Sequence, residues 1–143
     1  MVKYVMSIRI VNVTNDQAVL NVLLSDMQSD SNSPFKEVMT NKKNNFFEYR
    51  CYAIYHEEEL IGFMNIIDYS DFIELHRLYI YPNFRNRGYG QKASYIILEA
   101  LYQEGFTEFC IETVGNVRAF WEKVFSGYAT ENYGLGKLCY TRK

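Results

Sequence analysis

The chain has 143 residues, a formal net charge of −2, an apolar share of 48%, 13 tyrosines and 10 phenylalanines. This length and apolar content suit a single domain over residues 1–143 and exclude a disordered chain. The near-neutral charge excludes a general affinity for nucleic acid or anionic membranes, no signal peptide is visible, and the apolar runs are far too short to span a bilayer.

Val5 to Val11 reads as a first strand. Thr14-Asn15-Asp16-Gln17 has the form of a capping box, and Ala18, Leu20, Val22, Leu23, Leu24 and Met27 give the helix it starts an apolar face. Ser29 to Ser33 is a polar loop. Ser33-Pro34 has the form of a cap followed by proline at the first helical position, which predicts a second short helix near residues 34–41. Phe46 to His56 is an aromatic strand, Glu57-Glu58-Glu59 a turn and Leu60 to Ile67 the returning strand. Ile73 to Ile80 is the next strand, with Glu74, His76, Leu78 and Ile80 expected along one face by simple alternation. Tyr89 to Gln103 is helical, with Ala93, Ile96, Ile97, Ala100 and Leu101 on a wide apolar face and Gly105 at its end. Thr107 to Thr113 is a strand, expected parallel to Ile73–Ile80 because a helix intervenes. A helix over residues 116–126 ends at Gly127, and Ala129–Thr130 and Lys137–Thr141 form a closing hairpin around Gly134 and Gly136. This order predicts an α/β (α+β) fold with a mixed, mostly antiparallel sheet of about six to seven strands and helices on both faces.

The three cysteines, Cys51, Cys110 and Cys139, lie in strand-like sequence without C-x-x-C spacing. That pattern argues against a disulfide framework and a zinc site, and for small apolar core residues in a reduced cytoplasm. The two histidines, His56 and His76, are far apart in sequence, and no metal is expected.

Chemistry concentrates in Leu78 to Gly90. A strand ends at Pro82, a basic turn with Arg85, Arg87, Gly88 and Gly90 follows, and then comes an apolar helix. Glycines let the backbone curl around a ligand, and the helix start points unpaired N–H groups at it, so the turn suits a phosphate or pyrophosphate. Two other readings compete. The glycines serve a tight turn only, or Gly88-Tyr89-Gly90-Gln91-Lys92-Ala93 is a G-x-G-x-x-A dinucleotide fingerprint with Glu108 or Glu112 about 20 residues on. The context disfavours the fingerprint: the turn follows a hairpin, and too little chain remains for a second nucleotide half.

Ile80-x-Pro82-x-x-Arg85-x-x-Gly88-x-Gly90 resembles the acyl-CoA-binding motif of the GNAT N-acetyltransferase family. Asn116-x-x-Ala119 followed by Gly127-Tyr128 resembles a second segment of that family, and the element order resembles it over essentially the whole chain. The resemblance implies that acetyl-CoA or coenzyme A is the co-substrate. The main chain of Arg85, Asn86, Arg87, Gly88, Tyr89 and Gly90, with Gln91 opening the helix, would hold its pyrophosphate. Leu78 and Ile80 would pair by their backbone with the pantetheine arm, Asn116 would bond that arm or cap its helix, and Phe120 and Trp121 would wall it. The reaction implied is direct attack of an amine in a ternary complex, with Glu74 or His76 as base.

The family's usual tyrosine acid is missing: the two registers of the α-helical segment place Lys123 or Trp121 there. A lysine can give a proton and an indole cannot; Tyr128, Tyr133 and Tyr140 are alternative donors. The acceptor is expected to be a small-molecule or peptide amine, and Asp68, Asp71 and Glu74 would favour a cationic one. Two rivals stand beside this enzyme, which is expected to be cytoplasmic. One is a catalytically silent acyl-CoA-binding module. The other is an interaction protein without cofactor whose apolar sheet edge pairs two chains as a homodimer.

Overall fold

The computed structural model describes residues 7–38, 46–112 and 117–143. β1 (Ile8–Asn12) leads to α1 (Gln17–Gln28), and an antiparallel meander follows as β2 (Glu48–His56), β3 (Glu59–Asp68) and β4 (Ile73–Ile80). A 3₁₀ turn at Pro82–Phe84 enters α2 (Tyr89–Gln103), followed by β5 (Glu108–Glu112), α3 (Arg118–Val124), β6 (Ala129–Gly134) and β7 (Lys137–Thr141). The strands form one sheet of seven in the order β1-β2-β3-β4-β5-β7-β6. Among the described residues only β4 and β5 are parallel neighbours, and the α2 crossover between them supplies the long connection a parallel pair needs.

Strand alternation sorts the core onto two faces. Met64, Ile66, Ile73, Leu75 and Phe109 meet Ile97, Leu101, Trp121 and Phe125 of α2, α3 and the residue after α3. Cys51, Ala53, Phe63 and Tyr79 turn the other way, onto Leu20, Leu23 and Met27 of α1. Each such fully buried side chain contributes roughly 1.5–3 kcal/mol, so both helical layers are held by burial rather than by propensity.

Three local expectations need correction. The N-cap of α1 is Asp16, whose carboxylate accepts the Val19 N–H at 3.2 Å. Thr14 is diverted into tertiary bonding: its hydroxyl donates to Asn12 Oδ1 and accepts the Cys51 N–H at 3.1 Å, tying the start of α1 to β2. The helix expected near 34–41 does not form over residues 34–38, where the Ser33 hydroxyl accepts the Phe35 N–H at 3.2 Å in a local turn; residues 39–41 lie outside the described residues, as do Val5 and Met6.

The third correction concerns the cysteines. Cys110 and Cys139 form a disulfide. They are direct partners in the β5–β7 register, a juxtaposition that their separation of 29 residues hides. Cys51 is the free thiol, fully buried against α1, and burial pushes it up to about 12. Among the described residues no helix is long and apolar enough to cross a membrane.

Candidate active site

Among the described residues β4 and β5 pair at only two positions, Ile73 with Phe109 and Glu74 with Cys110. Beyond them β4 stays with β3 as far as Ile80, and β5 stays with β7 as far as Glu112. The sheet therefore parts, and a cleft of about 960 Å³ opens in the gap. The Tyr81 N–H is bonded to Ile61 of β3 at 2.8 Å. By alternation, Ile80 and Leu78 present their main-chain N–H groups to the opposite edge, which borders the cleft.

The β4 face pattern differs from simple alternation. Leu75 pairs with Ile66 and Arg77 with Asn65, so His76 is an extra residue, a β-bulge. Leu75, Leu78 and the following Ile80 consequently share the α2 side, while Glu74 looks toward the α1 side. His76 Nδ1 lies 2.9 Å from Glu74 Oε2, with the carboxylate side chain 9% exposed and the imidazole 29%. The four residues expected on one face are thus divided, the titratable pair from the apolar pair.

The turn after β4 is shaped by two left-handed residues, Asn86 at φ 61° and Gly88 at φ 81°. Gly88 is the N-cap of α2 and offers no side-chain cap, and among the described residues no acceptor meets the main-chain N–H groups of residues 86–91. Such a row of unpaired donors at a helix start is an anion cradle. A Cβ on Gly88 would meet nothing within 4 Å, whereas a Cβ on Gly90 would lie 3.5–3.7 Å from Leu78, Ile80 and Phe120. A long, thin chain running from the turn between these three apolar side chains fits this space, and so does a diphosphate at its end. Tyr89 is buried beneath the turn, its ring 4.8 Å from that of His56.

The turn's arginines do not converge on it as the sequence implied. Arg85 Nε donates to the Ile80 carbonyl at 2.7 Å, and its Nη2 donates to Asp30 at 3.2 Å. Arg87 is exposed, over the Phe84 ring at 5.9 Å, and does not line the cleft. The positive character of the cradle comes chiefly from its main chain.

α3 forms the far wall. Phe120 and Lys123 line the cleft, and Trp121, 7% exposed, bridges it to the core, with its ring 4.9 Å from Phe120. Asn116 lies outside the described residues; α3 starts with Val117 at its cap. Glu74, His76, Leu78, Ile80, Arg85, Asn86, Gly88, Tyr89, Gly90 and Gln91 all line the same cleft.

The tyrosines of the C-terminal hairpin do not. Tyr128 packs on Phe109 and Phe125, and burial raises its phenol. Tyr140 stacks on Phe125 at 4.1 Å, and its buried hydroxyl finds no partner among the described residues. Tyr133 is exposed and donates to Glu131 at 2.6 Å. Pro34, Phe35 and Arg77 also line the cleft and were not singled out as site residues from the sequence; Glu112, weighed there only as the acidic partner of a dinucleotide fingerprint, lines it too. Pro34 and Phe35 enter through a loop, and Arg77 is turned by the bulge.

No curated protein sequence matches the chain. Among solved structures it is similar to Tetrahymena GCN5, with 16% identity, TM-score 0.68, and coverage of 96% of this chain and 97% of that one. It is similar to the PaiA N-acetyltransferase of Thermoplasma acidophilum, solved in complex with coenzyme A, with 13% identity, TM-score 0.59, and coverage of 96% and 99%. It is also similar to a tandem GNAT protein from the clavulanic acid biosynthesis pathway, at 11% identity and TM-score 0.65 over 88% of this chain, but spans only 45% of that protein. At such identities these likenesses speak for the fold. The family profile described as "Acetyltransferase (GNAT) family" matches residues 17–126, from the start of α1 through the parted strands and the cradle to the end of α3. With profile, fold and parted sheet in agreement, the chain belongs to the GNAT acetyltransferase family.

Proposed function

We propose that this protein transfers an acetyl group from acetyl-CoA to an amine of a small molecule or peptide, by direct attack with both substrates bound. The observation that carries this reading is the parting of β4 from β5 beside a turn full of unpaired N–H donors. The coenzyme, when bound, supplies an acyl group activated as a thioester. The main chain of residues 86–91 holds its diphosphate. Leu78, Ile80, Gly90, Phe120 and Trp121 enclose its arm, and the main-chain N–H groups of Leu78 and Ile80 are the donors at hand for the arm and for a carbonyl oxygen gaining negative charge.

The bulge gives the two substrates separate faces. The arm lies on the α2 side, whereas Glu74 and His76 face the α1 side, where Pro34, Phe35 and Arg77 border the mouth. The amine enters from there. Glu74 accepts the His76 Nδ1 proton, which leaves Nε2 to take the proton that the amine must lose; the carboxylate fixes the tautomer and balances the imidazolium that forms. Lys123 is the proton donor for the departing thiolate, and a thiol of ordinary pKa about 8.5 leaves with modest help.

Two measurements test this. Acetyl-CoA should raise the melting temperature, since a ligand of the folded state alone stabilises it by mass action. A panel of amines should then release free thiol. No melting shift overturns the cofactor assignment. A shift without thiol release on any amine favours the silent binding module, which the replacement of the family's tyrosine by Trp121 or Lys123 keeps in view.

A further inference from the structure

Asp30 follows α1 by two residues, and its side chain is only 9% exposed. Its Oδ2 accepts two donors, the Tyr79 hydroxyl at 2.7 Å and Arg85 Nη2 at 3.2 Å, while Oδ1 accepts the Asn32 N–H at 3.0 Å. Arg85 lies over the Tyr79 ring at 5.2 Å and holds the last carbonyl of β4 through Nε. One helical turn earlier, Asp26 accepts the Tyr81 hydroxyl. Two residues along a strand and four around a helix both span roughly 6–7 Å, so the two tyrosine–aspartate bonds run in step. These bonds stitch the end of α1 to the end of β4.

The stitch has a second reach. Residues 30–38 carry Pro34 and Phe35 into the cleft wall. Phe35 stands edge-on to Tyr79 at 6.5 Å, and Arg77 Nη1 donates to the Glu37 carbonyl at 2.9 Å. Tyr79 therefore touches the wall, the carboxylate and the arginine at once. The Tyr79 hydrogen bond, together with Arg85, holds the Asp30 carboxyl below its ordinary range, and burial together with Asp30 holds the Tyr79 phenol up at about 12. At neutral pH the carboxylate is charged and the phenol is a donor, as the stitch needs.

We propose that Asp30 and Tyr79 are positioning residues that tie the turn of residues 85–91 to the 30–38 wall of the acceptor mouth through Arg85. Coenzyme binding at the turn then orders the wall that receives the amine. This rests on the acetyl-CoA reading above. The motif's arginine serves as a strut between two loops, with its charge turned away from the phosphate position.

The test is hydrogen exchange read by mass spectrometry, with and without coenzyme A, on the wild type, Asp30→Asn, Asp30→Glu and Tyr79→Phe. In the wild type, coenzyme A slows exchange in both 85–91 and 30–38. Asp30→Asn keeps protection in the turn and loses it in 30–38, with Kd for coenzyme A raised about three- to ten-fold, the order expected for one charge-assisted hydrogen bond at a partly exposed site. Tyr79→Phe, which alters no charge, also weakens protection of 30–38, and Asp30→Glu restores part of what Asp30→Asn loses. Protection of the turn alone in the wild type overturns the coupling and leaves the cofactor reading intact. No protection anywhere overturns the cofactor reading itself. Wild-type behaviour in both Asp30→Asn and Tyr79→Phe overturns the assignment of these residues.

Discussion

Gly88→Val separates the anion cradle from the fold that carries it. At φ 81° a β-branched residue is strained, but a Cβ there meets nothing within 4 Å, so the cost is conformational and about 1–2 kcal/mol. With about 2.1 cal/mol/K of unfolding entropy per residue, a chain of 143 residues loses about 3 °C of Tm per kcal/mol, so the variant melts about 3–6 °C lower. Acetyl-CoA at a hundred times its Kd stabilises the wild type by about 2.7 kcal/mol, a rise of about 9 °C. Re-aiming two donors toward a charged group costs about 3 kcal/mol or more, at least a hundred-fold in affinity. The same acetyl-CoA concentration then raises the variant's Tm by less than about 2 °C. Gly134→Val is the control: its φ is 78°, a Cβ there also meets nothing within 4 Å, and it sits in the β6–β7 hairpin. It should lose similar intrinsic stability and keep the full shift. A full shift in Gly88→Val, measured beside that control by differential scanning fluorimetry, refutes the placement of the diphosphate.

Glu74→Gln and His76→Ala should each lower kcat by about a hundred-fold with KM for acetyl-CoA changed less than about three-fold. Because the two act as one pair, the double variant should be no slower than the worse single one, and steady-state kinetics showing additive losses would separate them. Native protein should show no thiol reactive toward an aromatic disulfide reagent; denaturation without reductant should reveal one thiol, Cys51, and reduction all three. Asp30 has its folded-state pKa below the ordinary 3.8, so its contribution to stability is complete above that value and lost as pH falls through the folded value. The Tm advantage of wild type over Asp30→Asn should therefore be constant at neutral pH and shrink below about pH 4, and a constant advantage down to pH 2 would remove the carboxylate from that role.

Most of the architecture was legible in local sequence. Ile73–Ile80 and Tyr89–Gln103 have the predicted bounds because each combines a strong apolar period with an unambiguous stop, Pro82 in one case and Gly105 in the other. The glycine turn was legible for the same reason, since strand, turn and helix start are contiguous. What stayed hidden depends on partners distant in sequence. The bulge at His76 exists only in the pairing with Asn65 and Ile66, so counting along β4 gave the wrong faces. The Cys110–Cys139 bond needs β7 placed beside β5, and the Arg85–Asp30 contact joins residues 55 apart. Thr14 and Ser33 misled because short hydroxyl side chains serve local turns and tertiary bonds as readily as helix caps.

The bulge also makes deletion and substitution at residue 76 different experiments. Replacing His76 leaves the inserted backbone unit and removes only an imidazole. Excising the residue would let β4 zip onto β3 without interruption, with Leu75 on Ile66 and Arg77 on Asn65 as consecutive pairs, and Leu78, Tyr79 and Ile80 would keep their present sides. Drawing His76 into the ladder as an ordinary paired residue would instead exchange the sides of everything downstream, so that the apolar groove would line the amine's approach and the aromatic stitch would fall beneath α2. The unpaired unit thus lets the strand carry an imidazole between Glu74 and Leu78 while keeping those two on opposite sides, and its loss would remove the imidazole and spare the groove.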